Sequence, residues 1–276
     1  METLLLKVKR FLREAGVRPR RRLGQSFMVD RGLLERLAEY GEVSSCDRVL
    51  EVGAGLGFLT EILAEKAGEV LAVEADFKLY RLLERKFRGK GNVKLFHGDF
   101  LKLRLEGLYD KVVSNPPYSI SSPLIFRLAE SPVKLAVLTL QREFAERLIA
   151  RPGTAAYGRL TVMAYYWAEV EVLETVGKEA FYPPPKVESM VVRFKPRVKP
   201  PFKVEDYKFF SEVVKLLFTQ RRRKLSRALQ TLAKLKPELG LAKPFTGIPY
   251  LERRVFTLSP EEFAEVANVL WGLKTG

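Results

Sequence analysis

The stretch RVLEVGAGLGFLTEILAEKAGEVLAVEAD, residues 48–76, constrains the fold of this chain more than any other. An apolar strand runs into three glycines, a helical pattern follows and stops at Gly68, and a second apolar strand begins at once. Two strands joined by a single helix of this length argue for a parallel pair connected by a right-handed crossover. The pattern then repeats. FKLYRLLERKFRG (77–89) reads as a helix, NVKLFHGD (92–99) as a strand, YDKVVSN (109–115) as a strand, SPLIFRLAES (122–131) as a helix and KLAVLTLQ (134–141) as a strand. A further helix, RGLLERLAEYG (31–41), precedes the first strand. Such alternation predicts an α/β fold with a mostly parallel sheet covered on both faces.

Beyond a helix expected over 157–167 the rhythm changes. Strands are expected at 168–176 and 187–196, separated by KEAFYPPPK, which is too short for a crossover helix, so an antiparallel pair should close one edge of the sheet. PRVKPP (196–201) breaks the strand, and the pattern beyond it is helical: EDYKFFSEVVKLLFTQRRRKLSRALQTLAK, then SPEEFAEVANVLWGL with Ser259 as N-cap and Pro260 in the first turn. Two domains follow, 1–196 and a small helical one over 197–276. No apolar run reaches the ~18 residues of a membrane span, and the N-terminal METLLLKVKRFLREAG is an amphipathic basic helix without a signal-cleavage region, so a cytoplasmic location is expected. With one cysteine (Cys46) and one histidine (His97), neither an intramolecular disulfide nor a Cys/His metal site is expected.

The net charge of +15 is unevenly placed. Residues 1–24 hold 8 Lys/Arg against 2 acids and residues 197–276 hold 16 against 8, whereas the long middle holds 24 against 23. Basic flanks around a neutral centre point to a polyanion, because neutralised phosphates release counterions.

Three strand ends carry chemistry. In EVGAGLG, Gly53 and Gly55 sit between a strand and a helix N-terminus, where a ligand can approach bare backbone amides. A dinucleotide fingerprint would need its third glycine at Phe58, so nicotinamide and flavin are disfavoured. Glu74 closes the next strand, where a carboxylate can accept both hydroxyls of a ribose. Asp99 closes the third, placed to accept from an adenine amine with Phe100 beside the ring. A glycine loop, then Glu74, then Asp99, one per successive strand, resembles the S-adenosylmethionine site of class I methyltransferases, a Rossmann-like fold. In that setting VVSNPPYSIS (112–121) resembles the signature of enzymes that methylate a planar conjugated NH2 group. Such a nitrogen is a poor nucleophile, its lone pair being delocalised. Two acceptors, the Asn115 side-chain oxygen and the Pro116 carbonyl, can hold both N–H groups and direct the lone pair at a methyl carbon, with no strong base. Tyr118 offers a face for a base to stack on.

Asn-Pro-Pro-Tyr alone leaves adenine in RNA, adenine in DNA or a glutamine side chain open. RRRLGQSFMVD (20–30), AYGRLTVMAYYW (156–167), AFYPPPKVESMVVRF (180–194) and FTQRRRKLSRAL (218–229) together resemble the small-subunit ribosomal RNA adenine N6,N6-dimethyltransferases in their archaeal-like form, from about Arg20 to past residue 229. The resemblance implies dimethylation of two adjacent adenosines in the 3′-terminal hairpin loop of small-subunit rRNA, with S-adenosylmethionine as donor, on an immature subunit and by a monomer. It implies Gln25, Ser26 and Met28 near the donor with Gly53, Gly55, Glu74, Asp99, Phe100 and Asn115. It makes Phe181 a second aromatic face opposite Tyr118. Arg20, Arg21, Arg22, and the run Arg221, Arg222, Arg223, Lys224 on a helix of the second domain, become RNA contacts. Ser26 stands where the family has Asn, and Pro116 where many relatives have Leu or Ile. A DNA adenine methyltransferase would leave the four blocks unexplained and lacks a sequence-reading domain, and a glutamine methyltransferase would not need the basic ends. A non-catalytic RNA-binding assembly factor should have lost Asn115, Tyr118 or the glycine loop.

Overall fold

The computed structural model describes all residues except 1–2, 15, 20–24, 236–244, 246 and 276. The chain divides into two units, 1–145 with 170–196, and 146–169 with 197–276.

The first unit carries the sheet. Its strands are β2 (Arg48–Val52), β3 (Glu69–Glu74), β4 (Val93–His97), β5 (Lys111–Ser114), β6 (Leu135–Gln141), β7 (Ala168–Val176) and β9 (Ser189–Pro196), in the order β4-β3-β2-β5-β6-β9-β7. The first five pair in parallel, and β9 runs antiparallel to β6 from Ala136↔Phe194 to Gln141↔Ser189. The antiparallel edge is thus present. Alternate strand residues Val49, Val113, Val137 and Val191 share a core with α2 (Arg31–Tyr40), α3 (Phe58–Lys66) and α4 (Phe77–Lys86). Their neighbours Leu50, Val112, Ala136 and Val192 point the other way and are just as buried. Period-2 alternation with both sets apolar is what a sheet covered on both faces requires.

Helix starts follow their caps. Asp30 accepts from the Leu33 N–H ahead of α2, and Asp76 accepts from the Lys78 and Leu79 N–H groups ahead of α4. The N-terminal α1 (Leu4–Glu14) buries Val8 and Leu12 against Leu56, Leu79 and Leu82. A short ladder not anticipated from the sequence joins β1 (Phe27–Met28) to β8 (Phe181–Tyr182), antiparallel, with Met28 opposite Phe181.

After α5 (Ser121–Ala129) and α6 (Arg142–Leu148), the second unit contains α7 (Arg159–Trp167), α8 (Tyr207–Phe218), α9 (Leu225–Leu235) and α10 (Pro260–Thr275). It departs from the contiguous division expected at 196, because residues 146–169 belong to its core. The Tyr157 hydroxyl donates to the Leu258 carbonyl at 2.7 Å, and the Tyr166 ring packs on Phe202, Tyr207 and Phe210. The Arg221–Lys224 run is also placed differently. It lies in the turn between α8 and α9, since Arg221 and Arg223 give their carbonyls to the Phe256 and Val255 N–H groups instead of to a helical turn. Ser259 caps α10 as expected, its hydroxyl accepting from the Glu262 N–H while Glu262 accepts from the Ser259 N–H.

One side chain governs how the sheet opens. Backbone pairing between β2 and β5 extends only to Leu50↔Val112. Past it, the fully buried Ser114 hydroxyl donates to the Val52 carbonyl at 2.6 Å and accepts from the Val52 N–H at 3.1 Å. Ser114→Ala leaves both Val52 groups buried without partners and should cost about 2–4 kcal/mol of unfolding free energy, read by denaturant titration.

Candidate functional site

The carboxyl ends of β2, β3 and β5 surround a recess within the first unit. Its wall brings together Gln25, Ser26, Met28, Gly53, Gly55, Glu74, Asn115, Pro116 and Tyr118 from the sequence-based set. It adds Glu51, Phe27, Leu56, Phe58 and Pro117.

The glycine loop is held from three sides. Gly53 and Ala54 donate to the Val73 carbonyl at 2.8 and 3.0 Å, which swings the loop toward β3. Gly53 has φ +81°, and a Cβ there would stand 2.9 Å from the Pro117 ring, so a side chain fails on conformation and on space. Gly55 donates to Glu74 Oε2 at 2.8 Å, and the Asp76 N–H donates to Oε1 at 2.8 Å. Below the loop the Lys86 ammonium donates to the Gly57 carbonyl at 2.9 Å and the Leu56 carbonyl at 3.3 Å, and pairs with Glu61 at 3.2 Å. Burial lowers the Lys86 pKa while Glu61 and Glu51 oppose that fall.

Two carboxyls are buried in this wall. Burial pushes Glu74 up, against the pull of the Asp76, Gly55 and Ala75 amides. Glu51, 2% exposed, accepts from the Thr60 hydroxyl at 2.5 Å, and burial pushes its carboxyl up to about 8 despite that bond and the Lys86 charge.

Asn115 is oriented by chemistry as well as by distance. Its Nδ2 donates to the Ser26 carbonyl at 3.3 Å. A carbonyl can only accept, so the amide nitrogen must face Ser26 and Oδ1 is left as an acceptor. Ser26 is fixed in turn, its hydroxyl donating to the Pro183 carbonyl at 2.6 Å. Tyr118 lines the recess, and its phenol lies 2.5 Å from Ser189 Oγ.

Three expected site residues are not part of this wall. Asp99 accepts from the Leu101 N–H at 3.0 Å, ordering its own turn. Phe100 is buried with the Arg127 guanidinium 4.7 Å over its ring, a cation–π contact that occupies one face. Phe181 is 2% exposed in the core cluster of Met28 and Leu34, so of the two expected aromatic faces Tyr118 alone lines the recess. Arg20, Arg21 and Arg22 lie outside the described residues. Among the described residues no group of His, Cys, Asp or Glu could hold a metal, and no helix is long and apolar enough to cross a membrane.

Glu51 was open to detection in the sequence, as an acid inside the otherwise apolar R-V-L-E-V. Lys86 was not, because one lysine on an amphipathic helix reads as solvated.

In the second unit Arg222, Arg223, Lys224, Arg227 and Arg254 line a shallow, open recess. Arg221 turns away from that role. Its guanidinium donates to the Thr154 and Ala155 carbonyls at 3.1 and 3.0 Å and lies over the Phe256 ring.

A family model described as ribosomal RNA adenine dimethylase matches residues 16–270. A protein of Methanothermobacter thermautotrophicus named "Probable ribosomal RNA small subunit methyltransferase A" is 41% identical over 97% of both chains. One of the same name from Methanopyrus kandleri is 45% identical over 92% of this chain and 93% of its own. Among solved structures, a dimethyladenosine transferase from Plasmodium falciparum superposes with TM-score 0.74 at 27% identity, covering 87% of this chain and 95% of its own. The 23S rRNA methyltransferase ErmE does so with TM-score 0.64 at 28% identity, covering 88% and 99%.

The Glu51 carboxyl gives a pH test. Its pKa is higher folded than unfolded, so the folded chain binds the extra proton between about pH 4.5 and 8, and stability falls as pH rises through that window. Glu51→Gln should flatten the decline, which is on the order of a few kcal/mol, in denaturant titrations repeated across that range.

Proposed function

The chain belongs to the ribosomal RNA adenine dimethylase family, and from that premise we propose that it dimethylates N6 of two adjacent adenosines in the 3′-terminal hairpin loop of small-subunit rRNA. Its substrate in this reading is an immature small ribosomal subunit in the cytoplasm, and the working enzyme is a monomer. The observation that carries the reading is the orientation of Asn115, whose amide nitrogen is committed to Ser26 and whose oxygen is left for an acceptor N–H.

The methyl donor is S-adenosylmethionine, which supplies a methyl carbon made electrophilic by a positively charged sulfur. The wall fits such a group: a glycine loop too close to Pro117 to carry a side chain, the buried Glu74 able to accept two hydroxyls, and Glu51 within the same recess. Gln25, Ser26, Met28, Gly53, Gly55 and Glu74 would hold it. Asp99, closing the third strand, would hold the adenine amine.

The acceptor chemistry is the work of this chain's own residues. Asn115 Oδ1 and the Pro116 carbonyl accept the two N–H bonds of the exocyclic nitrogen and turn its lone pair toward the methyl carbon. The rigid Pro116–Pro117 pair keeps the two acceptors in place. Tyr118 provides the face on which the extruded base stacks. The proton lost from nitrogen after transfer belongs to a strong acid and passes to water. For RNA, the reading assigns Arg222, Arg223 and Lys224, with Arg227 and Arg254 beside them, to phosphates. Arg20, Arg21 and Arg22 take the same role ahead of the donor site.

Methyl transfer from labelled donor to immature small subunits, followed by nucleoside analysis, tests the reading. Dimethyladenosine is expected, and its absence overturns it. Asn115→Ala should cut the rate at least a hundredfold with donor affinity unchanged by calorimetry. The triple change Arg222→Glu, Arg223→Glu and Lys224→Glu should weaken subunit binding and flatten its dependence on salt, again with donor affinity unchanged.

A further inference from the structure

We propose that Ser189 is a positioning residue for the methyl acceptor, fixing the Tyr118 ring as the surface against which the adenine stacks. The proposal deepens the functional reading above and rests on it.

Tyr118 opens a single 3₁₀ turn, Tyr118–Ile120, which by itself leaves a long side chain free to swing. The far end of the ring is nonetheless tied down, the phenol oxygen lying 2.5 Å from Ser189 Oγ. Ser189 is fully buried and sits at the first residue of β9, opposite Gln141 at the last residue of β6, in the terminal pair of a regular antiparallel ladder. A residue paired in a ladder holds a side chain more exactly than a loop does, so the ring is referenced to the sheet and not to its own turn. Burial raises the Tyr118 pKa, which keeps the phenol neutral, and a hydroxyl-to-hydroxyl bond suits that state.

The contact also gives the block FYPPPKVES, residues 181–189, a single purpose. At its start Phe181 pairs with Met28, and the Pro183 carbonyl receives the hydroxyl of Ser26, whose own carbonyl orients Asn115. At its end Ser189 holds Tyr118. One nine-residue segment therefore sets both the acceptor amide and the stacking ring, though it need not touch the substrate.

A serine that merely packs and one that positions Tyr118 differ in a double-mutant cycle. Single-turnover methylation of immature small subunits is measured for the wild type, Ser189→Ala, Tyr118→Phe and the double variant, with donor affinity followed by calorimetry. Each single change is expected to slow transfer by roughly tenfold, within the range for a misplaced reacting group. Donor affinity should hold, and the double variant should be no slower than the slower single one. Multiplying losses in the double variant, or an unimpaired Ser189→Ala, would overturn the proposal. Tyr118→Phe deletes the same bond from the other side, so a wild-type rate for it overturns the proposal even if Ser189→Ala does not fold. A wild-type protein that yields no methylated adenosine overturns the functional reading and this proposal together, and it is seen before any variant is compared.

Discussion

The parting of β2 from β5 past Leu50 and Val112 is the constraint on which the rest of the first unit depends. Two parallel strands that stayed paired to their ends would leave no room between the loops that follow them. Here the glycine loop leaves toward β3, drawn by the Val73 carbonyl, while Asn115 leaves toward Ser26. The gap would strand the last backbone groups of β2 in the core, and the Ser114 hydroxyl satisfies both. A single buried serine thus lets the sheet open without an unpaired amide, and the opening is where donor and acceptor residues meet.

Much of this was legible beforehand. Strand and helix order over 48–141 followed from apolar periodicity, and the antiparallel edge followed from a link too short for a crossover. The placement of Glu74 at a strand end beside the glycine loop needed no more than the rule that ligands gather at strand ends. What escaped was long-range. Nothing local in GQSFM announces a ladder to FYPPP, because two-residue strands carry no period. The Arg221–Lys224 run looked helical because its neighbours are, yet the Arg221 and Arg223 carbonyls pair with the distant Phe256 and Val255. Phe181 was expected at the base and lies in the core, since an aromatic before prolines looks the same in either place. The second unit was cut at 196 because prolines mark breaks in the chain, whereas what defines a unit is shared core.

The charge of the site is arranged with similar economy. Two buried carboxyls, Glu51 and Glu74, face a recess anchored from below by the half-buried Lys86. A buried carboxyl raises the free energy of the empty fold, and a ligand that brings hydroxyls or positive charge relieves it, so binding and stability are linked through the same residues.

The interleaving of the two units has a consequence for how the chain is made. Residues 146–169 leave the ribosome before β9 exists to complete the sheet, and well before 197–276 exist to bury Tyr157 and Tyr166. Synthesis therefore passes through a stage in which a nearly finished sheet carries an apolar helix without its partners, and Leu258, to which Tyr157 bonds, emerges only just ahead of α10. The second unit cannot complete its core until residues well beyond 196 have emerged, while the first is already closing.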